Sequence, residues 1–165
     1  MYNLTETLTY GDVTLRPLLT SDSGALWELY EPKIFEFMLN KIENKQQLEK
    51  WLAVGIHQMN VEGTALAFVV ENTETKEIMG TTRIYGIDQT NYSCEIGSTY
   101  YGKQYQRTHV NTTCKYLLLK YCFEQMGTIR VQFKTDELNV SSQRAIERIG
   151  GVKEGILRNE RIRSN

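Results

Sequence analysis

Between residues 65 and 135 the apolar residues change their spacing, and that change restricts the fold more than any other feature of the chain. Residues 65–70 (Ala65-Leu-Ala-Phe-Val-Val70), 78–85 and 92–100 are three strand-length segments with β-branched and aromatic residues. The polar link at residues 72–77 (Asn72-Thr-Glu-Thr-Lys-Glu77) reads as a hairpin loop. Three strands on short links make an antiparallel meander. A polar loop at 102–109 follows, then a helix whose stripe is Val110, Cys114, Leu117 and Tyr121 and which stops at Gly127, then a strand over 130–135. A strand, a helix and a second strand form a crossover unit, which yields a parallel pair. The expected fold is therefore α/β (α+β): a mixed, mostly antiparallel sheet, helices on both faces, and a β-α-β crossover in the C-terminal half.

The flanks agree with this. Residues 13–16 alternate and stop at Pro17, and Thr20-Ser-Asp-Ser23 offers caps for a helix bearing Leu26, Leu29 and Tyr30. Residues 34–38 read as one helical turn, and residues 45–60 as a helix with Leu48, Trp51, Leu52, Gly55, Ile56 and Met59 on one stripe. Residues 139–149 form another helix, ended by Gly150-Gly151, and residues 152–162 read as a last strand. The predicted order is β, α, α, then βββ, then αβαβ. With 165 residues and no repeat, linker or low-complexity tract, the chain reads as a single domain over 1–165.

Several function classes are disfavoured. No apolar run approaches the length of a membrane span, and Met1-Tyr-Asn-Leu-Thr-Glu6 lacks the pattern of a signal peptide. Cys94, Cys114 and Cys122 are three in number with no CxxC, and the two histidines, His57 and His109, lie far apart. A disulfide framework or a metal site is not expected, and reduced thiols in a cytoplasmic protein are. Residues 1–99 hold 7 basic and 14 acidic side chains, whereas residues 100–165 hold 12 and 6. The halves either neutralise each other or equip the C-terminal half to meet an anion. Without a dense basic tail, nucleic acid is not an expected partner.

Residues 100–115 combine a strand, a loop, a helix start and a basic neighbourhood containing Lys103, Arg107, Lys115 and Lys120. Free N–H groups and the dipole at a helix start suit phosphate, Arg107 can add bidentate contacts, and Thr108 and Asn111 can cap or donate. The alternative is a solvated basic face. No P-loop, GxGxxG or compelling Ser-His-Asp order is present.

Five segments in order carry a resemblance. They are Gly11-Asp-Val-Thr-Leu-Arg-Pro17 with Thr20-Ser-Asp22; Glu95-Ile-Gly97; Tyr105-Gln-Arg-Thr-His-Val-Asn-Thr112; Val131-Gln-Phe-Lys-Thr-Asp136; and Asn139-Val-Ser-Ser-Gln-Arg-Ala-Ile-Glu-Arg-Ile-Gly-Gly151. Together they are similar to the GNAT N-acetyltransferases, and within them to the ribosomal-protein alanine and serine group. The resemblance implies acetyl-coenzyme A as cosubstrate, with no metal. It implies that the pyrophosphate lies on Gln106, Arg107, Thr108, His109, Val110 and Asn111, that the pantetheine arm bonds to backbone near Ser98 and Tyr100, and that Asn139 joins the cofactor-binding set. The family usually has small residues where His109 and Asn111 stand.

The same resemblance implies direct attack by an amine. A carboxylate can take the amine proton, and Glu95 is the candidate, the alternative being an ordinary strand carboxylate. Many of these enzymes place a tyrosine where this chain has Ile146; the ribosomal-protein group has a serine, here Ser142, whose alternative role is first-turn capping with Asn139. Backbone N–H groups of residues 96–98 can polarise the carbonyl. Residues 34–38 and the early helices are expected on the acceptor side. The family adds a strand beyond the loop after Arg163, which this sequence stops short of, so a homodimer that covers the sheet edge is an expectation. The acceptor reads as a protein N-terminus, a peptide or a small amine such as a polyamine or antibiotic. A non-catalytic coenzyme A-binding or protein-binding module is the other reading.

Overall fold

The computed structural model describes residues 6–162. Six strands form one sheet in the order β1 (Leu8–Tyr10), β2 (Val13–Pro17), β3 (Leu66–Asn72), β4 (Ile78–Asp88), β5 (Ser93–Tyr101) and β6 (Arg130–Gln132). Every neighbouring pair is antiparallel except β5 and β6, which are parallel. The expected mixed sheet and its crossover are both present.

Helices α1 (Ser23–Glu28) and α2 (Lys45–His57) cover one face, and α3 (His109–Lys120) covers the other. On the first face Tyr100 donates to the Leu26 carbonyl and Arg83 to the Trp51 carbonyl. On the second, Cys94 and Cys122 meet at 3.6 Å between sulfurs, and both remain thiols, as does buried Cys114. Helix α4 (Val140–Arg148) is tied to α3 by Arg148, which donates to Thr112 Oγ1 at 2.8 Å.

Local chemistry sets the element ends. A strand over residues 8–10, absent from the predicted order, pairs with β2 through a two-residue turn in which Gly11 takes φ +58°, a conformation glycine adopts without strain. Asn44 caps α2 by accepting from the Gln47 N–H at 3.0 Å. The helix runs on as a π-helical turn, Gln58–Glu62. The single turn expected at 34–38 is a 3-10 turn at Pro32–Phe35. Buried Leu15, Leu18, Leu26, Leu48, Leu52, Val69, Val70, Ile84 and Ile96 fill the core. No helix among the described residues is long and apolar enough to cross a membrane.

Two expectations fail at the C-terminal side. The strand predicted over 130–135 is paired only at Arg130–Gln132, because β5 and β6 separate beyond that point. The strand predicted over 152–162 does not form: a strand is defined by paired backbone, and this segment pairs with no strand and turns at residues 158–159. Ion pairs fasten it instead, Arg130 to Glu154 and Lys134 to Glu160, while Val152, Ile156, Leu157 and Ile162 stay exposed.

Candidate active site

The site grows from a local defect in β5. Thr81 faces Tyr100 and Arg83 faces Gly97, so two steps along β4 match three along β5. The extra residue lies at Ser98, whose φ of +49° marks the bulge. A bulge bends the strand that carries it. Pairing with β6 stops at Glu95 opposite Gln132, and from Ile96 onward β5 has β4 on one side and no strand on the other. Backbone N–H and C=O groups along that open edge are free for an extended, amide-bearing ligand.

The bulge also sorts the side chains. Glu95, Gly97 and Tyr100 point toward α1 and α2, and Ile96, Thr99 and Tyr101 toward α3. Glu95 is 5% exposed. Its Oε1 accepts from the Tyr85 hydroxyl at 2.5 Å, its Oε2 accepts from Gln132 Nε2 at 2.9 Å, and Lys134 Nζ lies 3.8 Å away. The carboxylate is therefore held on the inner face at the foot of the gap between β5 and β6. Beside it, Phe35, Trp51 and Tyr100 form an aromatic group, with Phe35 at 5.1 Å from Tyr100 and 6.0 Å from Trp51 between ring centroids. The turn read as acceptor-side therefore packs against the strand that carries Glu95.

The loop before α3 presents its groups differently from one another. Gln106 Nε2 donates to the Tyr101 carbonyl at 3.1 Å and closes the loop onto the strand. Arg107 is exposed with φ +60°, and its guanidinium has no partner among the described residues. Thr108 caps α3, its Oγ1 accepting from the Val110 N–H at 3.3 Å and donating to the Tyr105 carbonyl at 2.7 Å. Val110 is core and Asn111 is half-buried. The His109 ring turns away to Asp12 at 2.8 Å, leaving its backbone N–H as what it offers an anion. Tyr100 is 2% exposed with its hydroxyl committed to Leu26, so only its backbone faces the edge.

On α4, Asn139 Oδ1 accepts from the Ser142 N–H at 3.1 Å, which is N-capping. Ser142 is half-buried, and its hydroxyl has no partner among the described residues.

Two features went unread in the sequence. Arg16 makes a two-pronged contact with Asp22 at 2.8 and 3.0 Å and reaches Glu71 at 2.8 Å, which explains why the Arg16 and Asp22 segments travel together. Lys115 entered the reading only as part of a basic neighbourhood, yet it is 7% exposed and donates to Thr99 Oγ1 at 3.1 Å. Its place directly after Cys114 in the apolar stripe was the available signal.

Known proteins agree with this geometry. The profile of the acetyltransferase (GNAT) domain matches residues 12–152. The "Uncharacterized N-acetyltransferase p20" of Bacillus licheniformis is 27% identical over 159 residues, covering 93% of this chain and 86% of that protein. The solved structure of an acetyltransferase from T. thermophilus superposes with a TM-score of 0.86 at 27% identity, over 99% of this chain and 84% of the other. The Microcin C7 self-immunity acetyltransferase MccE, solved with acetyl-CoA and AMP, shares the fold, with a TM-score of 0.79 at 19% identity over 93% and 86%. The chain belongs to the GNAT acetyltransferase family, whose members take their acetyl group from acetyl-CoA.

Proposed function

We propose that this N-acetyltransferase acetylates a primary amine by direct attack in a ternary complex. The observation that carries the reading is the open edge of β5, bounded by the capped start of α3 on one side and by buried Glu95 on the other. An extended, amide-bearing arm ending in a pyrophosphate suits an unpaired strand edge that leads to a helix N-terminus. The residues that would hold it are the backbone at Ser98 and Tyr100, the N–H groups of residues 108–111, the Arg107 guanidinium and the Asn139 amide. Gln106 supports that loop from behind. When bound, acetyl-CoA supplies an acetyl thioester as the electrophile.

The chain's own groups divide the remaining work. Glu95 receives the proton of the amine, directly or through one water. N–H groups of residues 96–98 donate to the carbonyl oxygen as charge develops there. The Ser142 hydroxyl donates a hydrogen bond toward the sulfur. The acceptor enters from the face of α1, α2 and the Pro32–Phe35 turn. An α-amino group, with a pKa near 8, presents more neutral amine at pH 7 than a lysine does, which favours a protein or peptide N-terminus. Three buried free thiols support a reducing, cytoplasmic setting. The outer side of β6 has no strand beside it among the described residues, which supports a homodimer.

Calorimetry of acetyl-CoA with the parent chain and Arg107→Ala tests the reading. Binding by the parent that weakens about tenfold or more in the variant is expected, in line with the loss of a charge-assisted contact. Absence of binding by the parent at millimolar cofactor would overturn it.

A further inference from the structure

We infer that Lys115 is the proton donor to the departing sulfur. The inference rests on the acetyl-CoA reading above and adds a residue that reading does not use.

The argument begins with an unusual burial. Lys115 sits two turns into α3, and its ammonium reaches the gap that opens where β5 and β6 separate. It donates to Thr99 on β5 at 3.1 Å and lies 5.7 Å from the centroid of Phe133, the first residue past β6. These two contacts stand on the two sides of the gap. Thr99 is itself engaged, with Thr82 Oγ1 at 2.7 Å and the Gly97 carbonyl at 3.2 Å. A buried ammonium that offers three protons and meets one shared hydroxyl is under-satisfied.

No carboxylate compensates it. On α3 its neighbours are Cys114 and Thr112, the latter receiving Arg148 of α4. On β5 the α3-facing side chains are Ile96, Thr99 and the Tyr101 phenol. Past β6, Lys134 is committed to Glu160, and Glu95 lies on the opposite face with Tyr85 and Gln132. Among the described residues no acid lies within ion-pair distance of Lys115. What the ammonium faces is the gap, and the group that suits it is one that gains negative charge there.

The proton balance closes. A bond forms between the amine nitrogen and the carbonyl carbon, the carbon–sulfur bond breaks, and its electron pair goes to sulfur. The amine proton passes to Glu95. Lys115 Nζ gives one proton to sulfur and is left a neutral amine, and exchange with solvent resets both groups. Burial pushes the Lys115 ammonium down to about 8, close to an ordinary thiol at about 8.5. A transfer between groups so matched is nearly thermoneutral, the regime in which a general acid is effective. The Ser142 hydroxyl is a far weaker acid and can share a hydrogen bond without giving up its proton.

The test titrates the thiol of coenzyme A bound to the parent, to Lys115→Met and to Lys115→Gln, following thiolate ultraviolet absorbance, with desulfo-coenzyme A as a control for the integrity of the site. In the parent the bound thiol ionises at lower pH than in either variant by about one unit, tenfold in acidity, as part of a coupled pair. Desulfo-coenzyme A binds all three alike. In turnover, kcat falls about 100-fold in the variants, and the alkaline limb near pH 8 disappears. The deficit shrinks with the acetyl ester of an acidic aryl thiol, which leaves unprotonated. Unchanged thiol acidity in variants that still bind would overturn the Lys115 assignment and leave the cofactor reading intact. Loss of desulfo-coenzyme A binding in both variants would make the lysine structural and also overturn it. Absence of coenzyme A binding by the parent would remove the cofactor reading itself.

Discussion

The Tyr85 hydroxyl donates to Glu95 Oε1 at 2.5 Å, one residue on β4 fixing a carboxylate directly across from it on β5. Gln132 of β6 fixes the second oxygen, so the carboxylate is held from both neighbouring strands. Burial and the nearby carboxylate push the Tyr85 phenol upward, so it remains a donor at neutral pH. Gly97 leaves the room for this: a Cβ there would lie 2.8 Å from the Tyr85 hydroxyl. The base of the proposed reaction is thus oriented before any substrate arrives, the condition under which a general base is effective.

Glu95→Gln preserves shape and can still accept from Tyr85, but it cannot take a proton. We expect kcat/KM to fall by about 100- to 10,000-fold, with acetyl-CoA affinity held within a few-fold. Tyr85→Phe keeps the carboxylate and loses only its anchor, so its loss should be smaller. Steady-state kinetics with a peptide amine would check both, and parental activity in Glu95→Gln would remove Glu95 from the mechanism.

Gly55→Ala should reverse the usual helix rule. In an exposed helix that change stabilises by about 1 kcal/mol. Here the new methyl would stand 2.5 Å from Arg83 Cζ. The guanidinium has little freedom to yield, because it bonds the Trp51 carbonyl at 2.7 Å and lies 4.3 Å from the Trp51 ring centroid. Desolvation already holds its pKa down at about 10. Overpacking of this kind destabilises by about 1–3 kcal/mol. Urea unfolding would show a lower midpoint, and a higher midpoint would contradict the packing.

Lys115 should also leave a mark on stability. Its folded pKa is lowered from 10.5 to about 8 by desolvation. Between those values the unfolded chain holds a proton that the folded chain has released, so this group's contribution to stability rises with pH across the window. Below about pH 8 both states are protonated and the burial penalty is complete. Lys115→Met should therefore exceed the parent by up to about 3 kcal/mol near pH 7, with the gap closing toward pH 10.5. Cys114, pushed up to about 11, acts in the opposite sense but is common to both chains and cancels in the comparison. Chemical denaturation of the pair across this range checks the sign. A more stable variant with lower turnover would show stability exchanged for function at this residue.

How much of this was legible in the sequence depended on whether the signal was local. The meander and α3 announced themselves through spacing, because each strand and helix buries a periodic face. The β1 hairpin was missed since Leu8-Thr-Tyr10 is only three residues long and half-exposed, leaving little periodicity. Residues 152–162 alternate well enough to read as a strand, but a strand needs a partner, and partner geometry is not written in the segment itself. Within the site, Glu95 and the loop before α3 were found through motif order. The bulge at Ser98 was not, because nothing about serine demands φ +49°; the register between β4 and β5 imposes it. Lys115 was counted as surface charge because composition carries no information about burial.

Asn139 offers a way to separate folding from ligand binding at one side chain. Its Oδ1 caps α4, a nine-residue helix with no fully buried residue, which makes that helix sensitive to its cap. Asn139→Ala should lower stability by about 1 kcal/mol and increase proteolysis near α4. Asn139→Asp keeps an accepting oxygen and should retain parental stability. The aspartate, however, loses the amide donors and adds a negative charge. If the Asn139 amide contacts acetyl-CoA, Asn139→Asp binds the cofactor several-fold more weakly at unchanged stability. If the residue is only a cap, binding by Asn139→Asp matches the parent. Parallel thermal melts and calorimetry on the two variants therefore assign the role, since the cap and the contact use different atoms of the same amide.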